Sequence, residues 1–152
     1  MAFSECCIIR KSNPSLWRQL VGLGIRQNRC APKLEERTMA NQMCVIVTNG
    51  TFFTMKQENV LDDVYDCGTN EDLFFALAVM RDDTDINQWF IYDNRSWNDD
   101  KPIRAWHRCK TDKIEDDMVQ GQMYQDCEKA TRMEIIAHFT GMDDDEELEE
   151  IL

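Results

Sequence analysis

The pair Asn49-Gly50 constrains the fold of this chain more than any other feature. It lies between two runs rich in β-branched and aromatic residues, Met43 to Thr48 and Thr51 to Met55. A type I′ turn needs positive φ at both central residues, so Asn-Gly between such runs is the strongest short signal of a β-hairpin. The sequence therefore predicts a hairpin over residues 43–55.

Helix signals occur in three segments. Pro14 follows a good capping residue, Asn13, and its fixed φ suits the first helical position. Thr131 and Glu134 have the spacing of a capping box, in which each side chain bonds to the other residue's backbone N–H. The predicted helices span residues 14–23, 70–81 and 131–140.

The segment 70–81 is predicted to be the central helix of the core. Leu73, Phe74, Leu77 and Met80 leave it almost no polar face. A helix that is apolar nearly all round is usually buried.

The remaining apolar runs predict a mixed fold. Strands are expected at Cys6 to Arg10, Asn87 to Tyr92 and Ile103 to Cys109, with a turn at Asp93-Asn94 and a weaker helix within residues 113–128. Strands and helices in this irregular order are typical of a small α+β fold.

Length and composition predict one domain. The 152 residues are 43% hydrophobic, which is too apolar for a fully disordered chain. No apolar run reaches the length of a membrane span. We expect a single domain over residues 1–142, in which residues 26–41 form a mobile loop, and a disordered acidic tail over residues 143–152. Met39 leaves open a different natural start.

The net charge of −12 is unevenly distributed. Residues 1–42 carry +4 and residues 143–152 carry −7. Acidity on this scale argues against attraction of the whole surface to nucleic acid or anionic lipid. The tail is interpreted either as a solubilising segment or as a site for a basic partner. Its predicted partner-binding acids are Asp143, Asp144, Asp145, Glu146 and Glu147.

The cysteines indicate a reducing compartment. There are seven, an odd number, and the N-terminus lacks the pattern of a secretory signal. We therefore predict a cytoplasmic protein with free thiols, in which Cys7, Cys44 and Cys67 act as small buried hydrophobic residues.

The sequence predicts no metal or other cofactor. His107, Cys109 and Cys127 have the spacing of no common zinc site. The segment from Asp83 to Gln88 resembles the first half of an EF-hand loop, but it has Gln at the position that needs Gly. We interpret it as a solvated loop.

Evidence for an enzyme is weak. His138-Phe-Thr140 resembles one half of the paired motif of two-histidine phosphoesterases, but the other half would be His107-Arg-Cys109, which lacks the hydroxyl. A phosphodiester hydrolase that uses His107 and His138 is kept as an alternative.

Tryptophan and arginine alternate in one stretch of the sequence. Aromatic and Arg side chains together can stack on bases or anchor a protein interface, although the same Trp residues could instead fill the core. The stretch contains Trp89, Arg95, Trp97, Arg104, Trp106 and Arg108. Of these, Trp97, Arg104 and Trp106 are the predicted contacts for a partner.

One stretch of the chain resembles a known group of proteins. The stretch consists of residues 66–74 (DCGTNEDLF), Ala76-Leu77-Ala78, residues 81–85 and Gln88-Trp89-Phe90. This stretch resembles short uncharacterised proteins of gut bacteria and their phages or mobile elements. The resemblance implies a small α+β domain and supplies no activity, so no site residues carry over.

The leading hypothesis is a non-enzymatic acidic module that binds another protein, such as a phage-type inhibitor of a host nucleic-acid-handling or defence protein. An acidic surface can occupy a groove that is built for phosphates. Two alternatives are a protein that binds a small ligand or nucleotide and the hydrolase described above. We expect neither a membrane nor, for the body and tail, a nucleic acid as partner.

Overall fold

A computed structural model describes residues 3–11, 14–28, 43–56, 64–94, 103–117 and 127–141. These residues contain eight strands and four helices, which confirms the predicted α+β class. They form two compact units, Met1–Met80 and Arg81–Leu152, and each unit has its own sheet. The single domain predicted over residues 1–142 stays a prediction, and the tail over residues 143–152 lies outside the described residues. The mobile loop predicted over residues 26–41 is wrong at its start, because Arg26–Gln27 pair in a sheet, and residues 29–41 lie outside the description.

The first unit contains a five-stranded sheet and two helices. The strand order is β2-β4-β3-β1-β5; β1 is antiparallel to β3 and parallel to β5, and β2 is parallel to β4. The elements are β1 (Cys7–Ile9), α1 (Pro14–Gly22), β2 (Arg26–Gln27), β3 (Met43–Thr48), β4 (Thr51–Lys56), β5 (Tyr65–Asp66) and α2 (Glu71–Ala78).

The predicted hairpin is confirmed. Strands β3 and β4 pair up to Thr48 and Thr51, and the turn residues Asn49 and Gly50 have φ values of 49° and 80°. The ring of Phe3 lies over the turn, so that a Cβ added to Gly50 would lie 2.6 Å from ring carbon Cδ2. Glycine is therefore required here both for its conformation and for the space that it leaves.

Helix α2 is buried as predicted but is shorter than residues 70–81. It begins after Asn70, whose side-chain oxygen accepts a hydrogen bond from the backbone N–H of Leu73 at 3.1 Å. It ends at Ala78, and beyond this end the carbonyl oxygen of Met80 accepts a hydrogen bond from the backbone N–H of Ser4.

Strands β1 and β3 form the middle of the first unit. All three residues of β1 and the described residues from Cys44 to Val47 in β3 are buried. Cys7, Cys44 and Cys67 are among the buried residues, as predicted. The six cysteines that the structure describes are free thiols.

The second unit contains a three-stranded antiparallel sheet and two helices. The predicted turn at Asp93-Asn94 is wrong, because both residues continue the ladder by pairing with Arg104 and Ile103. The strand order is β7-β6-β8. The elements are β6 (Trp89–Asn94), β7 (Ile103–Arg108), α3 (Ile114–Asp117), β8 (Glu128–Lys129) and α4 (Arg132–Thr140).

The ends of α4 follow the sequence prediction. Thr131 and Glu134 form the predicted capping box, and Gly141 ends the helix in the left-handed conformation. Of the weaker helix predicted within residues 113–128, α3 supplies four residues, and residues 118–126 lie outside the description. No helix in the described ranges is both long and apolar enough to cross a membrane.

Candidate binding site in the second unit

The two faces of the sheet in the second unit carry different candidate site residues. Directly paired residues of antiparallel strands share a face, and successive residues alternate between faces. Trp106 pairs with Ile91, and His107 pairs with Phe90. Trp89, two residues before Ile91, therefore lies on the face of Trp106, and His107 lies on the opposite face.

Four half-buried rings form an aromatic cluster on the first of these faces, made of Trp89, Trp106, His138 and Phe139. The His138 ring stacks on the Trp106 ring, with centroids 4.0 Å apart and planes 17° apart. Trp89 meets Trp106 and Phe139 edge to face at 6.4 and 5.5 Å. Such ring pairs contribute about 0.5–1.5 kcal/mol each beyond the area that they bury, so the cluster ties α4 to the sheet.

The predicted contact residues are only partly covered by the structure. Trp106 lies in the aromatic cluster. Arg104 lies in β7, opposite Asp93, but its side chain is outside the description. Trp97 and the tail acids, Asp143 to Glu147, also lie outside the described residues.

Lys129 lies on the face of Phe90 and His107, and its half-buried ammonium group is bonded within the second unit. Its Nζ donates hydrogen bonds to the carbonyl oxygens of Thr84 at 2.8 Å and Arg81 at 3.3 Å. It lies 3.4 Å from Oδ1 of Asp85, whose Oδ2 accepts a hydrogen bond from the N–H of Ile114 at 2.8 Å. The side-chain oxygens of the loop that resembles half of an EF-hand are thus used within the unit: Asp85 faces Lys129, Asp83 accepts from Arg81, and Asn87 accepts from Arg108.

His107 and Asp117 form a second polar pair on this face. His107 Nε2 bonds to Oδ2 of Asp117, and Oδ1 of the same carboxylate accepts the backbone N–H of Lys110 at 3.1 Å. The bond to His107 is the main cause of a lowered pKa at Asp117, and the Lys110 N–H acts in the same direction. The carboxylate therefore stays ionised and positions the imidazole.

The thiol of Cys109, two residues after His107, lacks the environment of a nucleophile. Its Sγ donates to the carbonyl oxygen of Thr111 at 3.1 Å, and burial raises its pKa. A reactive cysteine needs the opposite shift.

The two histidines do not converge. His138 stacks on Trp106, whereas His107 is the next residue along the same strand and lies on the other face. The described residues therefore do not form the paired imidazoles of a two-histidine phosphoesterase. Within the same ranges, no group of three or more His, Cys, Asp or Glu side chains is arranged to hold a metal ion.

The second unit carries nearly all of the net charge. Residues 81–152 contain nine basic and twenty acidic side chains, a formal charge of −11, whereas residues 1–80 carry −1. Asp112, Glu115 and Asp116 are exposed around α3. The sequence could have shown this asymmetry, but the boundary between the units, and the contact of His138 with Trp106, depend on the tertiary structure.

The chain matches no protein-family model, no curated protein and no solved structure in comparisons with all three. The resemblance to short proteins of gut bacteria and their phages stays a prediction.

Proposed function

We propose that the chain is a non-enzymatic binding module whose acidic second unit docks on a basic surface of another protein. The observation that carries this proposal is the charge of −11 on residues 81–152, in the unit that also presents the aromatic cluster. Acidic side chains steer the encounter with a basic partner, and aromatic side chains such as Trp106 supply contact area at protein interfaces.

A nucleic-acid-handling protein is the proposed partner class. The basic groove of such a protein is built for phosphates, and a dense acidic surface is complementary to it in charge. If the chain occupied this groove, it would prevent nucleic acid from binding there. A phage-type inhibitor would act in this way. The second unit itself would repel nucleic acid because both carry negative charge.

The environments of the candidate catalytic groups also favour binding over catalysis. The Cys109 thiol has a raised pKa, and the imidazoles of His107 and His138 lie on opposite faces of one sheet.

The proposal is tested by capture and competition. The immobilised chain is incubated with a bacterial lysate, captured proteins are identified by mass spectrometry, and each purified candidate is titrated with the chain. We expect to capture a basic nucleic-acid-binding protein. We also expect that the chain displaces bound duplex DNA from this protein. Partners that bind equally well with and without saturating DNA, or a rise in melting temperature with nucleotides instead, would contradict the proposal.

A charge-matched pair of variants localises the contact. Asp112→Asn with Glu115→Gln removes two exposed acids from the second unit, and Glu71→Gln with Asp72→Asn removes two exposed acids from the first. The first variant is expected to weaken binding and the second to leave it unchanged. Thermal melts of both variants show whether the fold is retained.

A further inference from the structure

The turn between β3 and β4 places an exposed amide side chain directly before a glycine. Asn49 is exposed, and its φ is 49°, whereas that of Gly50 is 80°. Within the described ranges, the N–H of Gly50 donates no backbone hydrogen bond, although its carbonyl oxygen accepts one from the N–H of Arg26 at 2.9 Å. The nitrogen of Gly50 is therefore available as a nucleophile, and the nearest electrophile along the chain is Cγ of Asn49.

We infer that Asn49 is a site of spontaneous deamidation. The backbone nitrogen of Gly50 attacks Cγ of Asn49, the bond from Cγ to the amide nitrogen breaks, and ammonia leaves with the proton of the Gly50 nitrogen. The product is a five-membered succinimide ring, which one water molecule then opens at either carbonyl carbon to give aspartate or isoaspartate. Glycine favours the attack, because no Cβ shields its nitrogen.

Isoaspartate changes the turn, because the main chain then passes through Cβ of residue 49 and gains one atom. The register of a hairpin is set by the type and length of its turn. Thr48 and Thr51 pair directly beside this turn, and β2 is joined to Gly50 by the N–H of Arg26. The modification therefore loosens the end of the hairpin and the adjoining edge of the five-stranded sheet.

The ring of Phe3 restrains the reaction. Closure of the succinimide requires the peptide between Asn49 and Gly50 to rotate out of the turn conformation, so that the nitrogen reaches Cγ. The Phe3 ring covers Gly50 so closely that an added Cβ would lie 2.6 Å from its Cδ2. The folded chain therefore reacts only when the turn opens locally and Phe3 moves aside. The inference concerns the first unit and is independent of the proposed function.

The test follows individual asparagines while the full chain is incubated at mildly alkaline pH. Samples are digested, and the peptides are assigned by mass spectrometry with electron-transfer fragmentation, which distinguishes aspartate from isoaspartate. Asn87 is the internal control, because its φ is also positive, at 63°, but the residue that follows it is Gln88. We expect Asn49 to react at least about tenfold faster than Asn87, which corresponds to a barrier lower by about 1.4 kcal/mol. Isoaspartate is expected among the products at Asn49.

Two variants and a peptide test the role of Phe3. Phe3→Ala uncovers Gly50 and should raise the rate at Asn49 several-fold. Phe75→Ala removes a half-buried ring from α2 in the same unit, so it is the control for a general loss of stability. Thermal melts show whether both variants stay folded. A synthetic peptide of residues 45–54 gives the rate without the fold, and we expect it to exceed the rate in the folded wild-type chain.

Each outcome bears on one part of the inference. Absence of isoaspartate at Asn49, or equal rates at Asn49 and Asn87, would overturn the modification site. Equal rates at Asn49 in Phe3→Ala and Phe75→Ala, or a folded chain that reacts as fast as the peptide, would overturn the restraint by Phe3. The purified isoaspartate form should have a lower urea midpoint than the unmodified chain, and an unchanged midpoint would contradict the loosening of the hairpin.

Discussion

Replacing Lys129 with methionine tests whether its ammonium group holds the loop over residues 81–88. The change keeps most of the apolar stem and removes the hydrogen bonds to the carbonyl oxygens of Thr84 and Arg81 and the ion pair with Asp85. A hydrogen bond that involves a charged group contributes about 1.5–3 kcal/mol. The side chains of Lys129 and Asp85 are 33% and 24% exposed, so water replaces part of what is lost.

We therefore expect Lys129→Met to lower the free energy of unfolding by about 2 kcal/mol. For a chain of this length, that loss lowers the melting temperature by about 4–8 °C. Urea denaturation followed by circular dichroism measures the change. Lys110→Met is the control, because it removes the same charge from an exposed lysine of the second unit. Equal stability of the two variants would refute the role assigned to the ammonium group.

Three further changes test other parts of the structure. Gly50→Ala should lower the free energy of unfolding by about 2 kcal/mol or more, because a Cβ would meet Phe3 and the φ of 80° disfavours any L side chain; a normal urea midpoint would contradict this. Asp117 has a pKa below its ordinary value of 3.8, so its stabilising effect is present above that value and lost as the pH falls through the lower pKa. Asp117→Asn should therefore lose less stability than the wild-type chain between about pH 5 and about pH 2, measured by urea denaturation, and identical pH profiles would refute the assignment. Trp106→Leu removes ring contacts with His138 and Trp89 and should cost about 2 kcal/mol and reduce the near-ultraviolet dichroism, whereas an unchanged spectrum would contradict the aromatic cluster.

Local sequence signals predicted the elements that depend on local chemistry. The hairpin follows from the backbone freedom of Asn49-Gly50, and the start of α4 follows from the reciprocal bonds of Thr131 and Glu134. The start of α2 lies at the predicted boundary, where Asn70 caps the helix. Its end was predicted three residues too late, because Val79 and Met80 continue the apolar run and no local signal marks the stop at Ala78.

The short edge strands could not be predicted from the sequence. Strands β2 and β8 have two residues each, too few for an alternating pattern, and they are strands only because β4 and β6 lie beside them. The candidate site also combines a residue that the sequence identified with contacts that it could not show. Trp106 stood out by composition, whereas its stacking on His138 and the role of Lys129 depend on long-range contacts.

The most direct measurement compares the full chain with a chain that ends at residue 142, using the salt dependence of affinity for the purified partner. The acidic segment contributes seven of the acids in the second unit. We predict that affinity falls as salt rises, and that the shorter chain binds more weakly with a shallower slope of log affinity against log salt. Equal affinity and equal slope for the two chains would contradict the proposal that acidic charge drives binding.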